Sequence, residues 1–256
     1  MNITKVIQDE YANVDESTLK NISIKETPNL IELQKVILDI FKEVVRMEKI
    51  GFRITKENDS DLTKRLTKEK TSNIPYTIKD ITKLSTKIPF LFPDIISDTP
   101  LNHFVFISNI LTALVQTHYD KDKTIKPYLI ITTGYGEKIS GLCSSLRGPN
   151  VRVIGNGGYA FGMSLQSGLL DVEGSVLDYC GAYMHSGKIT ITNNAGAHLG
   201  AYMKGGSIFV EKNTEGYCGD GLSGGKIFVN GKIKSTGNSS KTGGEIYEGT
   251  TRVYPR

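Results

Sequence analysis

The chain has little cysteine, no run apolar enough to cross a bilayer, little excess of either charge and, before residue 134, almost no glycine. Three cysteines in 256 residues, odd in number and widely spaced, argue against a disulfide framework and fit a reducing compartment. The longest apolar stretch, Phe104 to Val115, is interrupted by Ser108, Asn109 and Thr112 and is too short to span a membrane. The opening Met1-Asn2-Ile3-Thr4-Lys5 leads into acidic residues without an apolar run or cleavage site, so no secretion signal is expected. With 31 basic and 27 acidic residues the net charge is only +4, which gives no warrant for nucleic-acid or membrane-surface binding. A hydrophobic content of 38% with charges this well balanced excludes disorder for the bulk of the chain. Four histidines (His103, His118, His185, His198) show no metal spacing, and no zinc or iron–sulfur pattern exists, so neither metal nor cofactor is expected. The expected location is the cytoplasm.

Glycine divides the chain in two. Gly51 is the sole glycine before Gly134, and the other 26 of the 27 lie between Gly134 and Gly249. They are periodic. Gly162, Gly181, Gly200 and Gly219 are 19 residues apart, and so are Gly168, Gly187, Gly206, Gly225 and Gly244. Apolar residues keep the same step. One column reads Val151, Leu170, Ile189, Ile208, Ile227, Ile246; a second reads Val153, Val172, Ile191, Val210, Val229. A third is Leu146, Leu165, Met184, Met203, Leu222, and a fourth is Leu142, Phe161, Cys180, Leu199, Cys218.

Each unit contains a short alternating segment such as Lys188-Ile189-Thr190-Ile191-Thr192, whose apolar residues fall on one face of a strand. Glycine clusters on either side supply turns that need positive φ or close backbone approach. A unit of this size cannot bury its own apolar face, so successive units must stack, their strands pairing in parallel about 4.8 Å apart. A β-propeller is disfavoured because its blades need about 40 or more residues. The reading is a two-domain α + β protein. Residues 1–133 form a mostly helical domain, and residues 134–256 form a right-handed parallel β-helix of 19-residue coils, handed by the rule for parallel crossovers.

The unit Gly196-x-x-x-Gly200-x-x-Met203-x-Gly205-Gly206-x-Ile208-x-Val210 resembles the GXGXG repeat. That repeat forms the C-terminal β-helix of the glutamate synthase large subunit, and the unit is also similar to the repeat-bearing, non-catalytic component of formylmethanofuran dehydrogenase. The resemblance covers roughly residues 141–249. It implies a scaffold that supports neighbouring catalytic parts, hence a non-catalytic assembly component of an oxidoreductase complex with catalytic subunits, or further copies of itself, as partners. The last unit departs from the pattern: Asn238 and Lys241 replace the glycine and the Met/Leu, and Glu248 replaces Val, as expected of a capping repeat.

In the first half, Thr27-Pro28 reads as an N-cap followed by proline at the first helical position. Leu30, Leu33, Val36, Ile37, Ile40, Phe41, Val44 and Val45 then follow at helical spacing, and Gly51 closes the helix. Residues 56–88, polar and lysine-rich with Leu62, Leu66, Ile78, Ile81 and Leu84, read as short surface helices and loops. Pro89, Pro93 and Pro100 are expected to break the chain around Phe90-Leu91-Phe92. A further helix starts at Thr99-Pro100 and runs through Val105, Ile110, Leu111 and Leu114 to about His118; Tyr128 to Thr133 reads as a strand entering the solenoid.

Gly221-Leu222-Ser223-Gly224-Gly225 matches the G-x-S-x-G nucleophile elbow of hydrolases. The elbow requires a strand–turn–helix context, whereas here the repeat already accounts for the glycines. His185, Lys204 and Ser223 share one repeat position, so they form a ladder in which a Ser–Lys pair could act as nucleophile and base, the alternative being an esterase-like hydrolase. Gly155-Asn156-Gly157-Gly158 has neither the helix nor the Lys-Ser/Thr of a phosphate-binding loop. Cys180 and Cys218 lie two coils apart, roughly 9.6 Å, beyond disulfide reach. The outward column runs Arg152, Asp171, Thr190, Phe209, Phe228, Tyr247, ending in three aromatic residues that mark a contact surface. Either the helical half, with residues 28–48 foremost, or a partner chain is expected to cover them.

Ile208→Asp places a carboxylate inside the solenoid between Ile189 and Ile227. It should cost roughly 4 kcal/mol or more and abolish the cooperative melt, because each coil is held by its neighbours. A melting temperature equal to that of the parent protein would show that this column does not face inward.

Overall fold

The computed structural model describes residues 27–49, 56–91, 102–123, 126–238 and 243–254. Gly51, Phe92, Pro93, Thr99, Pro100 and Lys241 fall outside them. The described elements begin with four helices: α1 (Pro28–Lys49), α2 (Lys56–Thr71), α3 (Ile78–Leu91) and α4 (Asn102–Asp122). Thr27 opens α1 as expected, its hydroxyl accepting the Leu30 amide at 3.1 Å. Leu30, Leu33, Ile37 and Ile40 are buried along one face. Among the described residues no helix is long and apolar enough to cross a membrane.

Two expectations for this half are corrected. Residues 56–88 are not a surface of short helices, because α2 and α3 are full helices and Leu66, Ile81, Leu84 and Ile88 lie in the core. Lysine-rich composition hides their inner faces. Pro89 does not interrupt the chain either; it sits in the last turn of α3, which runs on to Leu91.

Strands β1 (Tyr128–Ile131), β2 (Arg147–Ile154), β3 (Ser167–Glu173), β4 (Lys188–Ile191), β5 (Ser207–Val210), β6 (Gly225–Val229) and β7 (Gly244–Glu248) follow in sheet order, each parallel to the last. From β3 to β7 the register advances by 19 residues per step, pairing Leu170, Ile189, Ile208, Ile227 and Ile246 in turn. This is a parallel-strand β-solenoid. All four apolar columns point inward and are buried, Cys180 and Cys218 included, and Cys143 beside Leu142 is buried as well. Strand β8 (Thr251–Tyr254) then turns back antiparallel on β7 and ends the sheet. Glu248, standing where earlier coils place Val, accepts the Ile233 amide at 3.0 Å and the Lys232 ammonium at 2.8 Å. Those bonds hold its carboxyl below the usual range.

Glycine is required where the coil bends toward the next strand. Gly181 has φ +64°, and a Cβ there would lie 2.5 Å from Ile208 Cδ1. Gly200 stands in the same relation to Ile227, at 2.6 Å. Neither position has room for a side chain.

The helices close the open end of the solenoid. Helix α3 packs on β1, α4 reaches β2, and α1 and α2 pack on the other helices. An uncovered first strand would leave unpaired backbone groups at its edge. Here Ser85 Oγ accepts the Ile131 amide at 2.9 Å, while Thr82 Oγ1 donates to the Leu129 carbonyl at 2.8 Å. The Tyr135 hydroxyl lies 2.8 Å from the Ser85 carbonyl and 2.9 Å from that of Ile131. Buried Tyr128 contacts His118 Nδ1 at 2.9 Å; burial pushes the phenol pKa up and the imidazole pKa down, so neutral tyrosine donates to neutral histidine. The helical and solenoid cores form one continuous apolar cluster.

Ser85→Ala leaves the Ile131 amide without its acceptor. We expect a loss of about 1–3 kcal/mol in denaturant-induced unfolding. An unchanged midpoint would mean that this edge bond contributes nothing.

Candidate functional site

The residues of the hydrolytic ladder do share a row. Gln166, His185, Lys204 and Ser223 follow the inward-facing Leu165, Met184, Met203 and Leu222, so their side chains leave the coil at successive levels. The His185 ring nitrogens lie 3.2 Å from Gln166 Nε2 and 3.4 Å from Lys204 Nζ. Ser223 does not join that contact; its hydroxyl donates to the Met203 carbonyl at 3.2 Å. A serine nucleophile needs its proton within reach of a base, but this proton is held by backbone and the nearby amine rests on an imidazole. The motif glycines have a steric explanation. A Cβ on Gly224 would lie 2.2 Å from the Lys204 carbonyl oxygen, and Gly225 has φ +83°. The segment leads into strand β6, so it lacks the strand–turn–helix context of the elbow.

The other nucleophiles are sealed. Burial pushes the Cys218 thiol up to about 12 and raises those of Cys143 and Cys180 still further. Among the described residues, no group of three or more His, Cys, Asp or Glu side chains is placed to hold a metal ion.

The outward column of the sheet divides as the sequence indicates. At its polar end Arg152 forms an ion pair with Glu173. At the other end the rings stack: Phe209 on Phe228 with centroids 4.7 Å apart, and Phe228 on Tyr247 at 4.8 Å, within 13° of parallel. Lys188 places its ammonium 4.7 Å from the Phe209 centroid. Tyr247 donates to Glu245, which also pairs with Lys226 and Arg252. The three rings are half-buried. The expectation that residues 28–48 cover this strip is corrected, because α1 packs on α2 and α3, and the helices meet the sheet at β1 and β2.

Sequence reasoning misses a second aromatic surface. Tyr179, His198 and Tyr217 stack at 4.6 and 4.9 Å, nearly parallel, and Tyr183 stacks on Tyr202 at 5.1 Å. These residues hold positive φ between +54° and +61° at the corners of successive coils. Tyr217 is 57% exposed. The 19-residue register that lines up the glycines lines up these residues too, so the signal that could have found them is the same repeat, followed through its aromatic columns. Two clefts lie near the helical end. One of about 380 Å³ opens between α2, α4 and residues 144–147, and one of about 310 Å³ opens beside the turn from Thr132 to Lys138. Neither includes Ser223.

No protein-family model, curated protein or solved structure matches the chain.

The sealed thiols give a direct check. A thiol-reactive chromophore at pH 8 should label none of the three cysteines in the folded protein within minutes, and all three in guanidinium chloride. Rapid labelling of a native cysteine would contradict its burial.

Proposed function

We propose that the chain is a non-catalytic assembly protein, a right-handed solenoid rod that presents the Phe209–Phe228–Tyr247 strip to a protein partner. The observation that carries this reading is the strip itself. Three aromatic rings stand at one register on the outer face of β5, β6 and β7, away from the described helices and outside the continuous core. Half-buried aromatic rings flanked by Lys188, Lys226 and Glu245 have the composition of an interface centre with a charged rim. The chemistry of the remaining surface supports the same reading, since the one serine in a hydrolase-like motif is bonded to backbone and the cysteines are buried. The GXGXG resemblance extends the proposal: the partner would be a catalytic subunit of an oxidoreductase, with the reaction centred there.

The test has two arms. Purified protein and its Ser223→Ala variant should hydrolyse model esters and amides no faster than buffer; turnover abolished in the variant would replace the scaffold reading with the hydrolase one. In the second arm, Phe209→Ser/Phe228→Ser is compared with Tyr183→Ser/Tyr202→Ser as bait in the native extract. Each removes stacking worth about 0.5–1.5 kcal/mol per ring pair. The first should lose a stoichiometric partner that the second keeps. Equal retention of that partner by both would remove the strip from the interface.

A further inference from the structure

The cleft between α2, α4 and the first coil carries a charge pattern that folding does not use. Helix α2 contributes Lys64, Arg65 and Lys68 to its wall, and Arg147 enters from the start of β2. The lining also includes two carboxylates, Asp61 one turn earlier on α2 and Asp120 on α4. Asp120 already accepts hydrogen bonds from Gln116 at 2.9 Å and Lys123 at 3.3 Å. Among the described residues, the side chains of Arg65, Lys68 and Arg147 have no hydrogen bond or ion pair. Lys64 is half-buried, and its ammonium makes one long contact, 3.5 Å to the Ser144 carbonyl. Taking an ammonium out of water for a single weak acceptor is unfavourable. Burial accordingly lowers its pKa, with only Asp61 opposing.

The frame that holds these charges is rigid. Gln116 accepts the Arg147 amide at 2.8 Å, and Thr112 accepts the Cys143 amide at 2.9 Å, so α4 fixes both ends of the turn that forms one wall. Four cations against two carboxylates leave a surplus of two positive charges. A phosphate monoester, carrying about −1.5 to −2 at neutral pH, matches that surplus. The planar fork of an arginine suits its oxygens. The volume of about 380 Å³ is in the range of small-molecule pockets and exceeds the need of inorganic phosphate alone. Ala113 and the stems of Gln116 and Arg147 line the cleft where the organic part of such a ligand would lie.

We propose that this cleft binds a small organic phosphate monoester, with its phosphoryl group held between Lys64 and Arg147 and its body along the α4 wall beside Ala113 and Gln116. The site joins the helical cap to the first coil, so a bound ligand bridges the two halves.

The experiment is calorimetric titration of the full chain at low ionic strength with glycerol 3-phosphate, glucose 6-phosphate and adenosine 5′-monophosphate, and with inorganic phosphate and citrate for comparison. At least one monoester should bind saturably at one site, more tightly than inorganic phosphate or citrate. Arg147→Gln and Lys64→Gln should each weaken it by about tenfold or more, whereas Lys204→Gln, a cation on the far turn row, should leave it unchanged. Should Lys64→Gln fail to fold, the exposed Arg147 side chain decides the matter alone. The proposal is overturned if none of the three monoesters binds, if citrate or inorganic phosphate binds as tightly, if Arg147→Gln has no effect, or if Lys204→Gln weakens binding equally.

Discussion

The rod depends on amides that donate to carbonyls one coil away. Gly162 donates to Leu142, Gly181 to Phe161, Gly200 to Cys180 and Gly219 to Leu199, all at 2.8–2.9 Å. The opposite sense is served by neighbouring positions, with Tyr179 donating to Ala197 and His198 to Gly216. Buried backbone groups must be paired, and in a coil of short strands most partners belong to the adjacent coil. That requirement holds the coil length constant from β3 to β7. Only a constant step keeps donor opposite acceptor at every corner, and the apolar columns, glycine columns and aromatic stacks are consequences of the same constraint.

The same bonding explains why positive φ recurs at three alternate corner positions, at Tyr179, Gly181 and Tyr183 in one coil and at His198, Gly200 and Tyr202 in the next. A left-handed residue turns its amide and carbonyl along the rod axis. Where the next strand's isoleucine approaches, glycine is obligatory; where the corner faces solvent, an aromatic residue is accommodated. Left-handed backbone is unfavourable for such side chains. Stacking between coils, at about 0.5–1.5 kcal/mol per pair, is of the size needed to offset it.

Much of the solenoid is legible in the sequence because a repeat states its packing several times. Ile208 alone says little, but Ile189, Ile208 and Ile227 at one spacing define a face. The helical cap has no such redundancy. Pro89 reads as a break because composition does not show that a helix is about to end there anyway, and the inner faces of α2 and α3 are obscured by the lysines around Leu66 and Ile81. The role of Ser85 and Thr82 is invisible for another reason: a hydroxyl that satisfies a strand edge many residues distant leaves no local pattern. The candidate site divides along the same line. The aromatic strip follows from alternation, whereas the cationic cleft arises only when α2 and the first coil are brought together. Ser223 sits in the row the register assigns to it, yet the direction of its hydroxyl is a matter of local backbone geometry.

The two ends of the rod are unlike. One is sealed by side chains of α3, the other by a strand that reverses direction, and neither contacts the middle coils through a substantial surface. The interior is therefore modular in a quantised way. Duplicating one full unit between β4 and β6 would lengthen the rod by a single step of about 4.8 Å and carry both ends along unaltered. An insertion one residue short would turn every following side chain inside out. Evolutionary or engineered change in the length of the solenoid is thus confined to whole coils, and the distance between the cleft at the capped end and the aromatic strip can be set only in those increments.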